Sequence, residues 1–223
     1  MLKLDVIYED NHLLVVNKPA GIATQGAEAH QSSLLTLAKQ YIKQKYRKPG
    51  KVYLGTVSRL DAAVSGVVVF ARTSKAAARL SEQFREQTVK KLYWAVVSGN
   101  PAESDTCVDW LAKDEPRQRM RVVEPGTAGA QLARLTYRRL RRLAAGWLLE
   151  ITLESGRKHQ IRVQLAGRRL PVVGDRKYGS GETFSQGIAL HARMLQLVHP
   201  TRDEAMIWKA EPPAAWSALG LKP

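Results

Sequence analysis

Apolar runs of strand length, broken at short intervals by turn residues, constrain the fold of this 223-residue chain more than any other feature. Residues 5–8 and 12–16 flank Asp10-Asn11 and read as a strand pair with a tight turn. Residues 66–72, built around Val67-Val68-Val69-Phe70, read as a buried strand. Further strands are expected over 91–98, 106–111, 119–123, 130–140, 146–154, 188–198 and 205–209. Helical spacing is rarer. Ser33 caps a helix over 34–46, with Leu34, Leu35, Ala38, Tyr41 and Ile42 on one face. Ser74 caps a second through Glu86, with Ala77, Leu80 and Phe84 inward. A short third helix is expected over 158–166, with Gly167 as its stop. Short strands dominate and helices interrupt them irregularly. That pattern predicts an α+β fold, a large mixed, mostly antiparallel sheet with flanking helices. Glu103 to Gly129, rich in Asp, Glu, Arg, Pro and Gly, reads as an insertion or hairpin excursion within a single domain spanning 1–223.

Lys and Arg number 35 against 20 Asp and Glu, a net charge of +15. So large an excess implies a polyanionic partner, nucleic acid first and an anionic membrane second. Lys43, Lys45, Arg47, Lys48 and Lys51 form one basic cluster, and Arg138, Arg139, Arg141 and Arg142 another; each is alternatively a solvated face. No apolar run approaches the roughly 20 residues of a spanning helix, and the start of the chain turns acidic too soon for a signal peptide. A single cysteine, Cys107, allows no internal disulfide and no Cys-based metal cage. A reduced, cytoplasmic setting is expected. Neither Gly-x-Gly-x-x-Gly nor Gly-Lys-Ser/Thr occurs, and no helix-turn-helix, zinc finger or basic zipper supports DNA binding. No metal or other cofactor is expected.

Asp61 stands in Ser58-Arg59-Leu60-Asp61-Ala62-Ala63-Val64-Ser65-Gly66, just before the buried run. A turn aspartate that caps local backbone is one reading. On an extended backbone, however, Arg59 and Asp61 share a face while Leu60 points to the core. The carboxylate would then stand at the mouth of a cleft floored by the sheet. Arg162, in Gly156-Arg157-Lys158-His159-Gln160-Ile161-Arg162-Val163, is a candidate counter-ion for it. A helix there would set Lys158 and Arg162 one turn apart. His159 is a structural hydrogen-bonder or a site residue, and no second histidine is spaced to form a metal site with it.

Tyr93 alternates with Lys91, Ala95 and Val97 on one strand face. It is either a core tyrosine or a proton acceptor and stacking surface. Gly174-Asp175-Arg176-Lys177-Tyr178-Gly179 is either a plain turn or a loop in which Lys177 meets phosphate and Tyr178 stacks on a base. His191 and His199 read as structural.

Taken in order, these segments resemble the RluA-type pseudouridine synthases, which isomerise uridine to pseudouridine in RNA. The likeness runs through Leu14-Val15-Val16-Asn17-Lys18-Pro19-Ala20-Gly21, then Arg59-Leu60-Asp61 with Ser65-Gly66, then Lys91-Leu92-Tyr93-Trp94-Ala95. Gly156 to Val163, Gly174-Asp175 with Tyr178-Gly179, Leu190-His191-Ala192 and His199-Pro200 complete it. The resemblance implies that Asp61 is the catalytic aspartate, Tyr93 the active-site tyrosine and Arg162 the arginine paired with the aspartate. Arg59 matches an arginine that helps displace the target base. Arg157, Lys158, His159, Lys177 and Tyr178 are expected to contact RNA, either ribosomal or transfer RNA, with the protein acting as a monomer. Two departures stand beside Asp61: Ser58 where the family has His, and Val64 where it has Thr or a similar small polar residue. The S4-like domain that precedes many relatives is not expected, so substrate choice would rest on the catalytic domain. The rival reading is a non-catalytic RNA-binding or ribosome-associated module of the same fold; the intact Asp61, Tyr93 and Arg162 argue against it.

Overall fold

The computed structural model describes residues 3–26 and 32–221. Among them are eleven strands and three α-helices, an α+β fold with a large, mostly antiparallel sheet. The chain divides into two compact units, Met1–Lys90 with Ala192–Pro212, and Lys91–His191 with Pro213–Pro223.

The first unit is built on strands β1 (Asp5–Glu9), β2 (Leu13–Lys18), β3 (Gly55–Thr56) and β4 (Ser65–Ala71) with helices α1 (Leu34–Lys45) and α2 (Ser74–Arg85). The β1–β2 pair closes as expected, and Asp10 accepts the backbone N–H groups of His12 and Leu13 at 2.8 and 2.7 Å. β2 runs antiparallel to both β1 and β4. The unbroken apolar runs of β2 and β4 follow from burial on two faces. Leu13, Val15, Val67 and Val69 pack with Ala76 and Leu80 of α2. Leu14, Val16, Val68 and Phe70, one residue out of phase, pack with Leu34, Ala38 and Ile42 of α1. Each fully buried Leu or Val side chain contributes roughly 1.5–3 kcal/mol.

Ser33 caps α1 as expected, accepting the Thr36 N–H at 3.2 Å. The cap of α2 is Thr73, which accepts the Ala76 N–H at 3.1 Å. Ser74, expected as the cap, is the first helical residue instead; two adjacent hydroxyl residues could serve, and the earlier one does. Gly66 holds φ +120, and a Cβ there would meet the Ala192 carbonyl oxygen at 2.3 Å. Only glycine lets these backbones approach so closely. β10 (Leu190–Val198) neighbours β4 and pairs antiparallel with β11 (Ala205–Lys209).

The second unit carries β5 (Lys90–Val97), β6 (Ser104–Asp114), β7 (Arg119–Val123), β8 (Gln131–Leu143) and β9 (Gly146–Leu153) in the order β5-β9-β8-β6-β7. All four pairings are antiparallel. The excursion expected over Glu103 to Gly129 is the β6–β7 hairpin. Helix α3 (Gln160–Gly167) starts later than the sequence suggested, with every residue from Gln160 to Leu165 buried. Lys158 therefore lies outside the helix and not one turn from Arg162. His159 is left-handed at φ 54 and breaks the helix there. Among the described residues no helix is long and apolar enough to cross a membrane.

Candidate active site

In the first unit, Asp61 sits in a turn and its carbonyl accepts the Val64 N–H at 3.0 Å. Its half-buried side chain follows exposed Arg59 and half-buried Leu60, and Leu60 packs on the α1 side of the core as expected. Both neighbours of Asp61 are clamped by the segment after β2. Thr24 Oγ1 donates to the Leu60 carbonyl at 2.9 Å and accepts the Leu60 N–H at 3.1 Å. The Gly21 N–H donates to the Ala62 carbonyl at 2.8 Å. Lys18 Nζ donates to the same carbonyl at 3.2 Å and to those of Ile22 and Pro19 at 2.7 and 2.9 Å. That segment is anchored in turn, because the carbonyls of Ala23 and Thr24 accept the Leu34 and Leu35 N–H groups that open α1. A carboxylate whose flanking residues are fixed in this way is held in place at little further entropic cost.

Lys18 is fully buried. Burial pushes its pKa down to about 8, against the pull of the Asp61 carboxylate, which favours the charged form. A cation thus stands within electrostatic reach of the aspartate inside one unit. Val64, the departure from the family pattern, is 3% exposed and serves the core.

The remaining candidate residues belong to the second unit. Tyr93 lies half-buried on β5 opposite Ile151. Arg162 of α3 meets Asp175 in a bidentate fork, Nε to Oδ2 at 2.7 Å and Nη2 to Oδ1 at 2.8 Å. Its guanidinium lies over the Tyr178 ring, 4.9 Å from the centroid. The Tyr178 hydroxyl accepts the Met120 N–H at 3.0 Å and stands 2.8 Å from His159 Nδ1. Tyr178 is buried, and one ring face carries Arg162, so the ring supports the arginine and the histidine where the sequence suggested a base-stacking surface. The left-handed turn at His159 is what brings its imidazole to that hydroxyl. Arg157 is half-buried and Lys158 exposed, while exposed Lys177 donates to the Gln118 carbonyl at 2.6 Å.

The two basic clusters are partly spent within the protein. Lys45 pairs with Glu9 at 2.7 Å and Arg138 with Glu150 at 3.0 Å. Arg139 and Arg142 lie over the Trp147 ring, 4.4 and 5.4 Å from its centroid. No sequence pattern marks a role for Lys18, Thr24 or Asp175. Lys18 and Asp175 lie in the Asn17-Lys18-Pro19 and Gly174-Asp175 motifs, but the Ala62 and Arg162 groups they meet lie outside those motifs. Thr24 carried no local signal. Among the described residues, no group of three His, Cys, Asp or Glu residues could hold a metal ion.

Comparison with known proteins places the chain in a class. The fold matches that of human RNA pseudouridylate synthase domain containing 4, with a TM-score of 0.81 over 98% of this chain and 94% of that one at 23% identity. The family model for RNA pseudouridylate synthases matches residues 12–167. An RNA pseudouridine synthase of Bacillus subtilis, YhcT, is 38% identical over 215 residues, covering 95% of this chain and 70% of its own. The dual-specificity RNA pseudouridine synthase RluA of Salmonella typhimurium is 36% identical over 214 residues, covering 92% of each. The chain belongs to the RNA pseudouridine synthase family, whose members are isomerases.

Proposed function

We propose that this protein isomerises specific uridines in ribosomal or transfer RNA to pseudouridine, with Asp61 as nucleophile. The observation that carries the assignment of Asp61 is the clamp on Leu60 and Ala62, which fixes the backbone on both sides of the carboxylate. The target base is extruded from its stack at a cost of a few kcal/mol. Exposed Arg59, two residues from Asp61, fills the vacated space and touches phosphate.

The carboxylate of Asp61 attacks C1′ and the N1–C1′ bond breaks, its electron pair leaving with uracil. Uracil is a stabilised anion, so a single carboxylate suffices where a glycosidase uses two. The base turns, C5 bonds to C1′, and Asp61 is released. C5 then gives up its proton, which Tyr93 relays directly or through water by accepting it as its own phenolic proton leaves, and N1 takes up a proton, so the net change is an isomerisation. Arg162 supplies positive charge that stabilises the carboxylate of Asp61. The sequence of steps is redox-neutral and calls for no cofactor. A cytoplasmic setting and a monomer suit this role.

Release of tritium from RNA labelled at uridine C5 tests the reading. Wild type should release it and Asp61→Asn should not; near wild-type release by the variant removes Asp61 from the mechanism. Tyr93→Phe should lose roughly 10²–10⁴ in turnover and retain RNA affinity. RNA binding by the wild type with no tritium release would instead establish the non-catalytic binding module.

A further inference from the structure

We propose that Lys91 and Arg157 form a subsite for one phosphate of the RNA backbone, next to the nucleotide held at Tyr93. The inference rests on the reading of the protein as RNA-modifying. Lys91 lies half-buried on β5. It shares a strand face with Tyr93, two residues and about 7 Å further along. A Cβ placed on Gly156 would stand 3.9 Å from Lys91 Nζ, so the ammonium lies over the Gly156 backbone, next to Arg157. Among the described residues this ammonium makes no hydrogen bond and no ion pair.

Arg157 is held in place from behind. Its Nε donates to the Leu132 carbonyl at 3.1 Å, and its backbone N–H donates to Gln160 Oε1 at 3.0 Å. That amide is buried and fixed by Ser155 Oγ, which donates to the same Oε1 at 2.8 Å, and by its own bond to the Arg134 carbonyl at 3.0 Å. With Nε committed, the terminal guanidinium nitrogens take no acceptor among the described residues.

Two cations drawn together and partly desolvated repel each other. Burial, and then the charge of Arg157, lower the pKa of Lys91. Such an arrangement destabilises the free protein unless an anion lies between the two groups. A phosphodiester offers two non-bridging oxygens, one for the compact ammonium and one for the guanidinium fork, as charge-assisted hydrogen bonds.

The test compares wild type, Lys91→Met and Lys91→Arg on total RNA, labelled with 5-tritiated uridine, from cells that lack this gene. Apparent Kd is measured across a salt series, and tritium release and thermal unfolding are measured in parallel. Lys91→Met should bind roughly tenfold more weakly at low salt. Its log–log salt slope should fall by about 0.7, one phosphate contact on a single strand. Its Tm should stay equal or rise, because an unpaired, half-buried charge has gone. Lys91→Arg should keep affinity and slope. Wild-type affinity and slope in Lys91→Met, or a lowered Tm that marks a structural lysine, overturns the subsite. Absence of tritium release from the wild type, with the Lys91 effects on binding intact, overturns the enzymatic reading and leaves the phosphate contact standing.

Discussion

Lys18 and Lys91 are two lysines displaced in the same direction by the same cause. Burial lowers the pKa of each. Their surroundings differ. Lys18 is enclosed completely, meets three carbonyl oxygens, and lies within reach of the Asp61 charge. Lys91 is half-exposed, meets no protein acceptor among the described residues, and lies beside Arg157. A depressed pKa alone therefore cannot say what a lysine does. The donors' partners can: satisfied donors tie chain segments together, whereas donors without acceptors on a half-open face are available to a ligand.

Arg162 is the limiting case of a satisfied cation, and it offers the largest effect. Its side chain and that of Asp175 are 8% and 1% exposed, and they form two parallel bonds. Removing Asp175 takes two charge-assisted bonds from a buried guanidinium. Asp175→Ala should lose about 3–5 kcal/mol of stability in urea denaturation, while Arg162 also loses what orients it. A loss below about 1 kcal/mol would show that the identity of the partner does not govern these buried cations, and the contrast between the two lysines would fall with it.

The same substitution at the two lysines is the direct comparison. Lys18→Met removes the donor from the Pro19 and Ile22 carbonyls, while the Ala62 carbonyl keeps the Gly21 N–H. Each orphaned carbonyl costs roughly 1–3 kcal/mol, offset in part by relief of the buried charge. A net loss of about 2 kcal/mol is expected, with lower turnover as the segment beside Asp61 loosens. Lys91→Met should not lose stability. Equal losses at both positions in parallel urea titrations would erase the distinction.

Much of this architecture was legible in the sequence, for physical reasons. The apolar runs at β2 and β4 carry their own signal because two helices bury both faces. Ser33 announced α1 because capping is local. Where tertiary contacts decide, the sequence was silent. His159 leaves the helix for a left-handed turn, with its partner Tyr178 nineteen residues away. Asp61, Tyr93 and Arg162 stood out through family motifs. The bonds that hold Leu60 and Ala62 came from Thr24 and Lys18, some forty residues earlier, and no spacing rule links such positions. Asp175 was visible as part of Gly174-Asp175, but only the fork with Arg162 shows its purpose.

The smallest effect is a response to pH that separates Lys18 from its surroundings by sign. Its folded pKa of about 8 lies below the ordinary 10.5. Below pH 8 the lysine is protonated in both states, and the burial penalty is fully in force. Between pH 8 and 10.5 the unfolded chain binds more protons than the folded one, so stability rises with pH. Lys91 acts in the same direction. Cys107 acts against it, because burial pushes its thiol from 9.0 up to about 11, and stability is lost as pH climbs through that range. The clear window is therefore pH 8 to 9, where Lys18 should contribute a gain of about 1 kcal/mol. The rise should shrink in Lys18→Met and largely persist in Lys91→Met. Over the same window Asp61 loses its buried cationic neighbour, so turnover should fall while stability grows. One proton then moves the two properties in opposite directions. If turnover and stability rise together across that window in the wild type, Lys18 holds the chain but does not assist the aspartate.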